Sequence, residues 1–162
     1  MLHPLSSKQM KSSMIQKWIL IGITYLFILL FVYAALVKIL DFHRFNRQLQ
    51  QSPIWPDYIG AIMSWIVPIT ELIIAIVLIP ARYRLWGLYA STGLMTLFTL
   101  YIIYILGFSG YIPCSCGGVL ESLGWRQHLL FNLVFVALGI IGIILMHRTK
   151  REKKKEDIEE LN

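Results

Sequence analysis

Four apolar segments, each about twenty residues long, constrain this chain more than any other feature. They run over residues 18–40, 58–79, 85–108 and 127–146. A helix of about 20 residues crosses the roughly 30 Å hydrocarbon core of a bilayer, where no water satisfies an exposed backbone. The sequence therefore predicts an all-α integral membrane protein whose four spans form a four-helix bundle.

The composition supports this class. The chain is 57% hydrophobic, only 15% charged, and has a mean hydropathy of +0.64, which exceeds what a soluble domain needs for its core. Its charges concentrate in residues 1–17 and 147–162, which are predicted to be a cytoplasmic N-terminal segment and a charged cytoplasmic tail around the transmembrane domain, residues 18–146. This distribution indicates contact with membrane lipid and not with nucleic acid. The first apolar run is longer than that of a usual secretory signal, so it is expected to be a membrane span and not a signal peptide.

Lysines and arginines predict the orientation of the spans. Of the 15 in the chain, eleven fall on the side shared by the termini and the short loop between the second and third spans. The other side carries four, namely Lys38, Arg44, Arg47 and Arg126. The positive-inside rule therefore predicts that both termini are cytoplasmic, and that the loops 41–57 and 109–126 lie outside.

The first outer loop contains further polar and aromatic residues. A short interfacial helix is expected from Phe42 to Leu49, ending before Pro53 and Pro56, the alternative being an irregular loop. Lys38, at the outer end of the first span, is expected to snorkel toward the headgroups, the alternative being a pair with Asp41.

The two cysteines of the chain, Cys114 and Cys116, lie together in the second outer loop. They are preceded by Pro113 and followed by Gly117 and Gly118, which favours a constrained loop on the side where disulfides persist. A disulfide that closes a loop of so few residues stabilises little and is strained, and strained disulfides exchange readily with other thiols. A redox pair is therefore favoured over a structural staple.

A third interpretation of the cysteine pair is metal binding. Two thiolates suit Cu(I), whereas a zinc site needs further ligands, for which only Glu121 and His128 are close in sequence. Copper handling thus remains the alternative to redox chemistry.

Three polar residues inside the spans are weaker candidates for a functional site. Glu71 lies in the middle of the second span, where a charged carboxylate is costly unless it is paired or faces a cavity. It marks either a functional site or a protonated group bonded to a Ser, a Thr or a carbonyl freed by Pro68. His128 and Asn132 share one face of the fourth span, which can point into the bundle below the cysteines. An imidazole there can raise the thiolate fraction, although His128 can equally contact headgroups.

These motifs resemble the DoxX-like and MauE-type bacterial membrane proteins. The resemblance covers residues 15–146 and rests on three stretches, Ala34-Ala35-Leu36-Val37-Lys38-Ile39-Leu40-Asp41-Phe42, Pro68-Ile69-Thr70-Glu71-Leu72 and Pro113-Cys114-Ser115-Cys116-Gly117-Gly118. It also includes the Gly124-Trp125 and the His128 to Asn132 spacing that follow.

The resemblance implies a multi-pass protein of the bacterial inner membrane that supports oxidation and maturation of extracytoplasmic proteins by thiol-disulfide exchange. Cys114 and Cys116 would be the redox pair, a thioredoxin-like or disulfide-containing periplasmic protein the partner, and a membrane quinone the electron acceptor. The enzyme class would be thiol-disulfide oxidoreductase, with either redox direction permitted. A Cu(I)-handling protein or a non-catalytic assembly subunit of a membrane complex is the alternative.

Overall fold

The computed structural model describes residues 7–52, 56–108 and 125–159, and these residues form five helices. Helix α1 spans Ser7–Leu40, α2 Phe42–Gln50, α3 Asp57–Leu78, α4 Arg84–Phe108 and α5 Trp125–Glu159. Within the described ranges no residue is in a β-strand. The all-α prediction is confirmed.

Four of these helices are long and apolar enough to cross a membrane. The candidate spans are Met14–Leu40, Asp57–Leu78, Arg84–Gly107 and Arg126–Glu152. At most a third of the most apolar part of each span is buried inside the bundle, so most of that surface faces outward. Leu29 and Leu97, which are 69% and 63% exposed, are two of many large apolar side chains on this outer surface. An apolar surface of this extent is accommodated by lipid. The four predicted spans are confirmed, whereas the orientation of the termini stays a prediction.

The four long helices pack as a ring. Helix α1 makes its main contacts with α3 and α5, and α4 likewise contacts α3 and α5, so α1 and α4 lie across the bundle from each other. Phe27 and Phe31 of α1 and Phe135 of α5 contact one another in the core, with ring centroids 5.5 Å apart for Phe27 and Phe135. Apolar packing and small residues, rather than a hydrophobic driving force, hold such helices together in lipid.

Helices α1 and α5 are antiparallel. Gly142 of α5 lies against Ile23 of α1, and Phe135, earlier in α5, lies against Phe27, later in α1. Residues 109–124 connect the end of α4 to the beginning of α5. We call this end of the bundle the loop end. The cysteine motif belongs to that connection and lies outside the described residues.

The short helix expected after the first span is confirmed as α2. It packs along α3, where the ring of Phe42 lies 4.4 Å from that of Trp65 and the backbone of Leu49 and Gln50 contacts Gly60. A side chain at position 60 would place its Cβ 2.6 Å from the Leu49 carbonyl oxygen. Glycine is therefore required there by the close approach of the two helices.

Replacement of Gly60 by alanine should separate α2 from α3 and lower the free energy of unfolding by about 1–3 kcal/mol. Gly93→Ala is the matched control, since nothing lies within 4 Å of a Cβ at that position of α4. Unfolding in mixed micelles, followed as the fraction of SDS increases, compares the two. Equal stability of both variants would contradict the packing described for α2.

Candidate functional site

A buried ion pair joins α1 to α3. The Nζ atom of Lys38 lies 2.7 Å from Oε1 of Glu71, with the two side chains 17% and 1% exposed. The expectation that Lys38 snorkels to the headgroups, or pairs with Asp41, is wrong. A carboxylate held one hydrogen bond away compensates the ammonium better than distant headgroups can, and it removes an unpaired charge from the bundle interior.

The local sequence explains why Lys38 points inward. In α1, Phe27, Phe31 and Ala35 are all buried and recur at a spacing of four residues. Lys38, three residues after Ala35, continues this face of the helix. Its side chain leans back along α1, so that Nζ also lies 3.4 Å from the carbonyl oxygen of Ala34.

The ammonium of Lys38 lies at a junction of several helices. Besides Glu71 of α3, it faces the ring of Phe45 of α2 at 5.7 Å and the ring of Phe98 of α4 at 5.9 Å. Both distances are within the range of cation–π attraction. One side chain thus interacts with residues of three other helices, α2, α3 and α4.

His128 lies at about the level of this junction. Ala34 comes seven residues after Phe27 in α1, and His128 seven residues before Phe135 in α5. Because the two helices are antiparallel and the rings of Phe27 and Phe135 are in contact, equal steps of about 10 Å bring Ala34 and His128 to similar heights. His128 is half-buried, and the expectation that it contacts headgroups alone does not describe its surroundings.

Asn132 lies one helical turn deeper than His128 on the same face of α5, and is 3% exposed. Its Nδ2 atom has no hydrogen-bond partner among the described residues, and neither has Oε2 of Glu71. Buried polar atoms are seldom left unpaired in proteins, so each such atom needs an explanation. The two atoms belong to α3 and α5, the helices on either side of α1.

The alternative in which a protonated Glu71 forms a hydrogen bond to a Ser, a Thr or a carbonyl freed by Pro68 does not describe the structure. Buried hydroxyls nearby are satisfied within their own helices: Ser64 donates to Ala61, and Thr99 to Met95. The carboxylate takes its hydrogen bond from Lys38 instead. Pairing compensates its charge, which is one of the two conditions under which an intramembrane carboxylate is tolerated.

The structure thus pairs Lys38 with Glu71, and it places His128 at a similar height on α5, with Asn132 one turn deeper. Sequence reasoning named all but Lys38 as candidate site residues. The missed signal was the spacing of Phe27, Phe31 and Ala35, which assigns Lys38 to a buried face. Across the described ranges, no group of three His, Cys, Asp or Glu side chains could hold a metal ion.

These observations define the class of protein. The chain is a multi-pass helical membrane protein with a charged, partly unsatisfied site inside its bundle. The family model described as "Methylamine utilisation protein MauE" matches residues 16–145, and the chain belongs to this family. The DoxX-like part of the resemblance stays a prediction.

A curated relative agrees with the family assignment. The methylamine utilization protein MauE of Paracoccus denitrificans is 26% identical over 134 residues, which cover 81% of this chain and 72% of the relative. No solved structure matches the chain.

Replacing Lys38 by methionine should destabilise the bundle by about 3 kcal/mol, because Glu71 would remain buried without its partner. The double variant Lys38→Met, Glu71→Leu should recover most of this loss, since removing both charges leaves none uncompensated. Unfolding in SDS-containing mixed micelles measures both. Lys17→Met, at an exposed lysine of the same helix, should change stability by less than about 0.5 kcal/mol. A double variant no more stable than Lys38→Met would contradict the pairing.

Proposed function

We propose that this protein carries out thiol-disulfide exchange at the outer face of a bacterial inner membrane, with Cys114 and Cys116 as the redox pair. The observation that carries the proposal is the position of these cysteines in the chain. They are the two cysteines of the protein, and they lie in the segment that connects α4 to α5 at the loop end. His128, three residues into α5, and the buried Lys38–Glu71 pair lie toward the same end.

In the exchange step, the Cys114–Cys116 disulfide oxidises a dithiol of an extracytoplasmic partner. A partner thiolate attacks one sulfur of the disulfide, forming a mixed disulfide and releasing a cysteine thiolate. The second partner thiol then displaces the remaining cysteine, so that two electrons and two protons pass from partner to membrane protein. The partner leaves with a new disulfide, and Cys114 and Cys116 are left as thiols.

His128 supports this chemistry as a proton acceptor. The reacting species is the thiolate, and a neutral imidazole close to the loop end can take the proton of a thiol or return one to a leaving thiolate. Regeneration of the disulfide transfers two electrons and two protons to an acceptor, for which a membrane quinone is the proposed class. The proposed partner is a thioredoxin-like or disulfide-containing protein, in keeping with both termini on the cytoplasmic side.

Membership of the MauE family supports the proposal at a general level. The relative from Paracoccus denitrificans takes its name from methylamine utilisation. For this chain, we infer a role in maturing an extracytoplasmic partner by means of its two cysteines.

Trapping of thiols in intact cells tests the redox state of the pair. A membrane-impermeant maleimide of measurable mass should label Cys114 and Cys116 after mild external reduction, and should fail to label them after external oxidation. The single variants Cys114→Ser and Cys116→Ser should each keep one thiol that is labelled before and after oxidation. Its labelling should fall only where it forms a mixed disulfide with the partner. Labelling that is the same under all redox conditions would contradict the redox function.

Two controls make this experiment specific. A cysteine placed at Thr149, near the C-terminal end of α5, in a chain lacking Cys114 and Cys116 should be labelled only after the membrane is permeabilised; labelling in intact cells would contradict the proposed orientation. Purified protein is also titrated with Cu(I). Tight binding that needs both cysteines, together with no redox response in cells, would replace the exchange function by copper handling.

His128→Leu should slow oxidation of a model dithiol by the isolated protein about 100-fold at neutral pH. This factor is the lower limit of the rate loss expected when a positioned proton acceptor is removed. The difference should shrink as the pH approaches about 8.5, where an ordinary thiol ionises without help. Leu130→Ala, at a 63% exposed position of α5, is the control and should react at the native rate. An equal loss at every pH would assign His128 a structural role.

A further inference from the structure

Aromatic side chains join α4 to α5 at the end of the bundle opposite the loop end, which we call the basic end. Oη of Tyr89 in α4 and Nε2 of His147 in α5 lie 2.8 Å apart and are hydrogen-bonded. The two rings meet edge to face, with centroids 6.3 Å apart. The ring of Trp86 lies beside that of Tyr89, with centroids 6.5 Å apart.

These aromatic rings indicate the height of the membrane surface. Tryptophan and tyrosine are enriched at the level of the lipid headgroups, because their rings are apolar and carry a polar N–H or O–H group. Trp86 and Tyr89 are about one turn apart in α4, and both are exposed. His147 is hydrogen-bonded to Tyr89, so it lies at headgroup level together with the residues that follow it in α5.

Three exposed cations follow His147 in α5, namely Arg148, Lys150 and Arg151. With 3.6 residues per turn, His147, Arg148 and Arg151 fall within about 100° of the circumference of the helix, and thus on one side of it. Glu152 is the one acid between positions 147 and 155. Among the described residues, neither these cations nor Glu152 form an ion pair. The positive charge on this side of α5 is therefore not neutralised by a described neighbour.

The backbone of α5 holds these cations in fixed positions. The helix continues without a break from His147 to Glu159, about 18 Å further along its axis. Within this stretch, Oγ1 of Thr149 donates to the carbonyl oxygen of Leu145 at 3.0 Å. A ligand that binds to side chains on a formed helix loses less free energy in ordering them than one that binds to a flexible tail. The cations are thus arranged for binding an anion before it arrives.

The same side of α5 is apolar at greater depth. Ile140 and Ile144 precede Arg148 at a spacing of four residues, and they are 49% and 47% exposed. Residues at this spacing lie on one face of a helix. We call Ile140, Ile144, Arg148 and Arg151 the α5 stripe. It presents two isoleucines to the hydrocarbon and two arginines at headgroup level, an order that matches the acyl chain and the headgroup of an anionic lipid.

We propose that the α5 stripe and the Tyr89–His147 pair bind an anionic phospholipid, with its phosphate at Arg148 and Arg151 and an acyl chain along the two isoleucines. Arginine can contact two oxygens of one phosphate through parallel N–H donors. Basic sites between membrane helices bind anionic headgroups in this way. An acidic protein would match only the charges, whereas a phospholipid also covers the exposed isoleucines. The site lies at the opposite end from the cysteines and is independent of thiol exchange.

Native mass spectrometry of the full-length protein tests this preference. The purified protein in detergent is given equal amounts of phosphatidylglycerol, which is anionic, and phosphatidylcholine, which has no net charge, with the same acyl chains. The first phosphatidylglycerol should bind at least about ten-fold more tightly, as expected for two arginine contacts to an anionic headgroup. Equal affinity for the two lipids would overturn the proposal.

A matched pair of double variants locates the preference in the chain. Arg148→Gln, Arg151→Gln should bind the two lipids equally. Arg47→Gln, Arg126→Gln removes the same charge from exposed positions of α2 and of the start of α5, and should keep the native preference. Loss of the preference in both variants would assign it to the net charge of the protein. Either that result or a native preference in the first variant would overturn the site.

Photochemical crosslinking locates the acyl chain. The protein is placed in nanodiscs of phosphatidylcholine that contain a small fraction of phosphatidylglycerol with a diazirine in its acyl chain. Because both leaflets contain this lipid, the result does not depend on the orientation of the protein. Crosslinks should concentrate in residues 140–151 and fall to the level of the other spans in Arg148→Gln, Arg151→Gln. Crosslinks distributed evenly over the four spans of the native protein would overturn the proposal.

Discussion

The ion pair between Lys38 and Glu71 is the interaction on which the outer part of the bundle depends. A lone charge in this environment costs several kcal/mol, so neither residue can occupy its position without the other. Their contact fixes the height of α1 relative to α3. Since the same ammonium faces rings of α2 and α4, this part of α1 also packs against these two helices.

Packing away from the pair follows a different principle. Toward the opposite end, Gly139 and Gly142 of α5 allow close approach to α4 and α1, and Gly87 of α4 lies against Leu78 of α3. Buried hydroxyls such as that of Ser91 donate to carbonyls of their own helix, so they leave no unpaired hydroxyl at the helix interface. Buried polar atoms without a partner nevertheless occur toward both ends of the bundle: Gln16 Oε1 and Arg84 Nε toward one, and Glu71 Oε2 and Asn132 Nδ2 nearer the loop end.

Membership of the MauE family and the interior site bear on function in different ways. The family match extends over both the interior residues and the cysteine motif, so each belongs to the part of the chain that resembles the family. A disulfide-exchanging pair needs thiols that gain and lose protons, and His128 is the imidazole nearest to the cysteines along the chain.

The sequence by itself determined the four spans and the short helix after the first, because hydropathy, length and the proline positions are local properties of the chain. It also indicated that Glu71 and Asn132 are unusual, since a carboxylate or amide within an apolar span is visible without a structure. Only the tertiary structure decided what they contact. Lys38 and Glu71 are 33 positions apart, and a pairing of that separation depends on the relative height and rotation of two helices, which no local pattern specifies. The neighbours of Lys38 along the chain favour snorkelling, whereas its stabilising partner Glu71 is a neighbour only in the folded bundle.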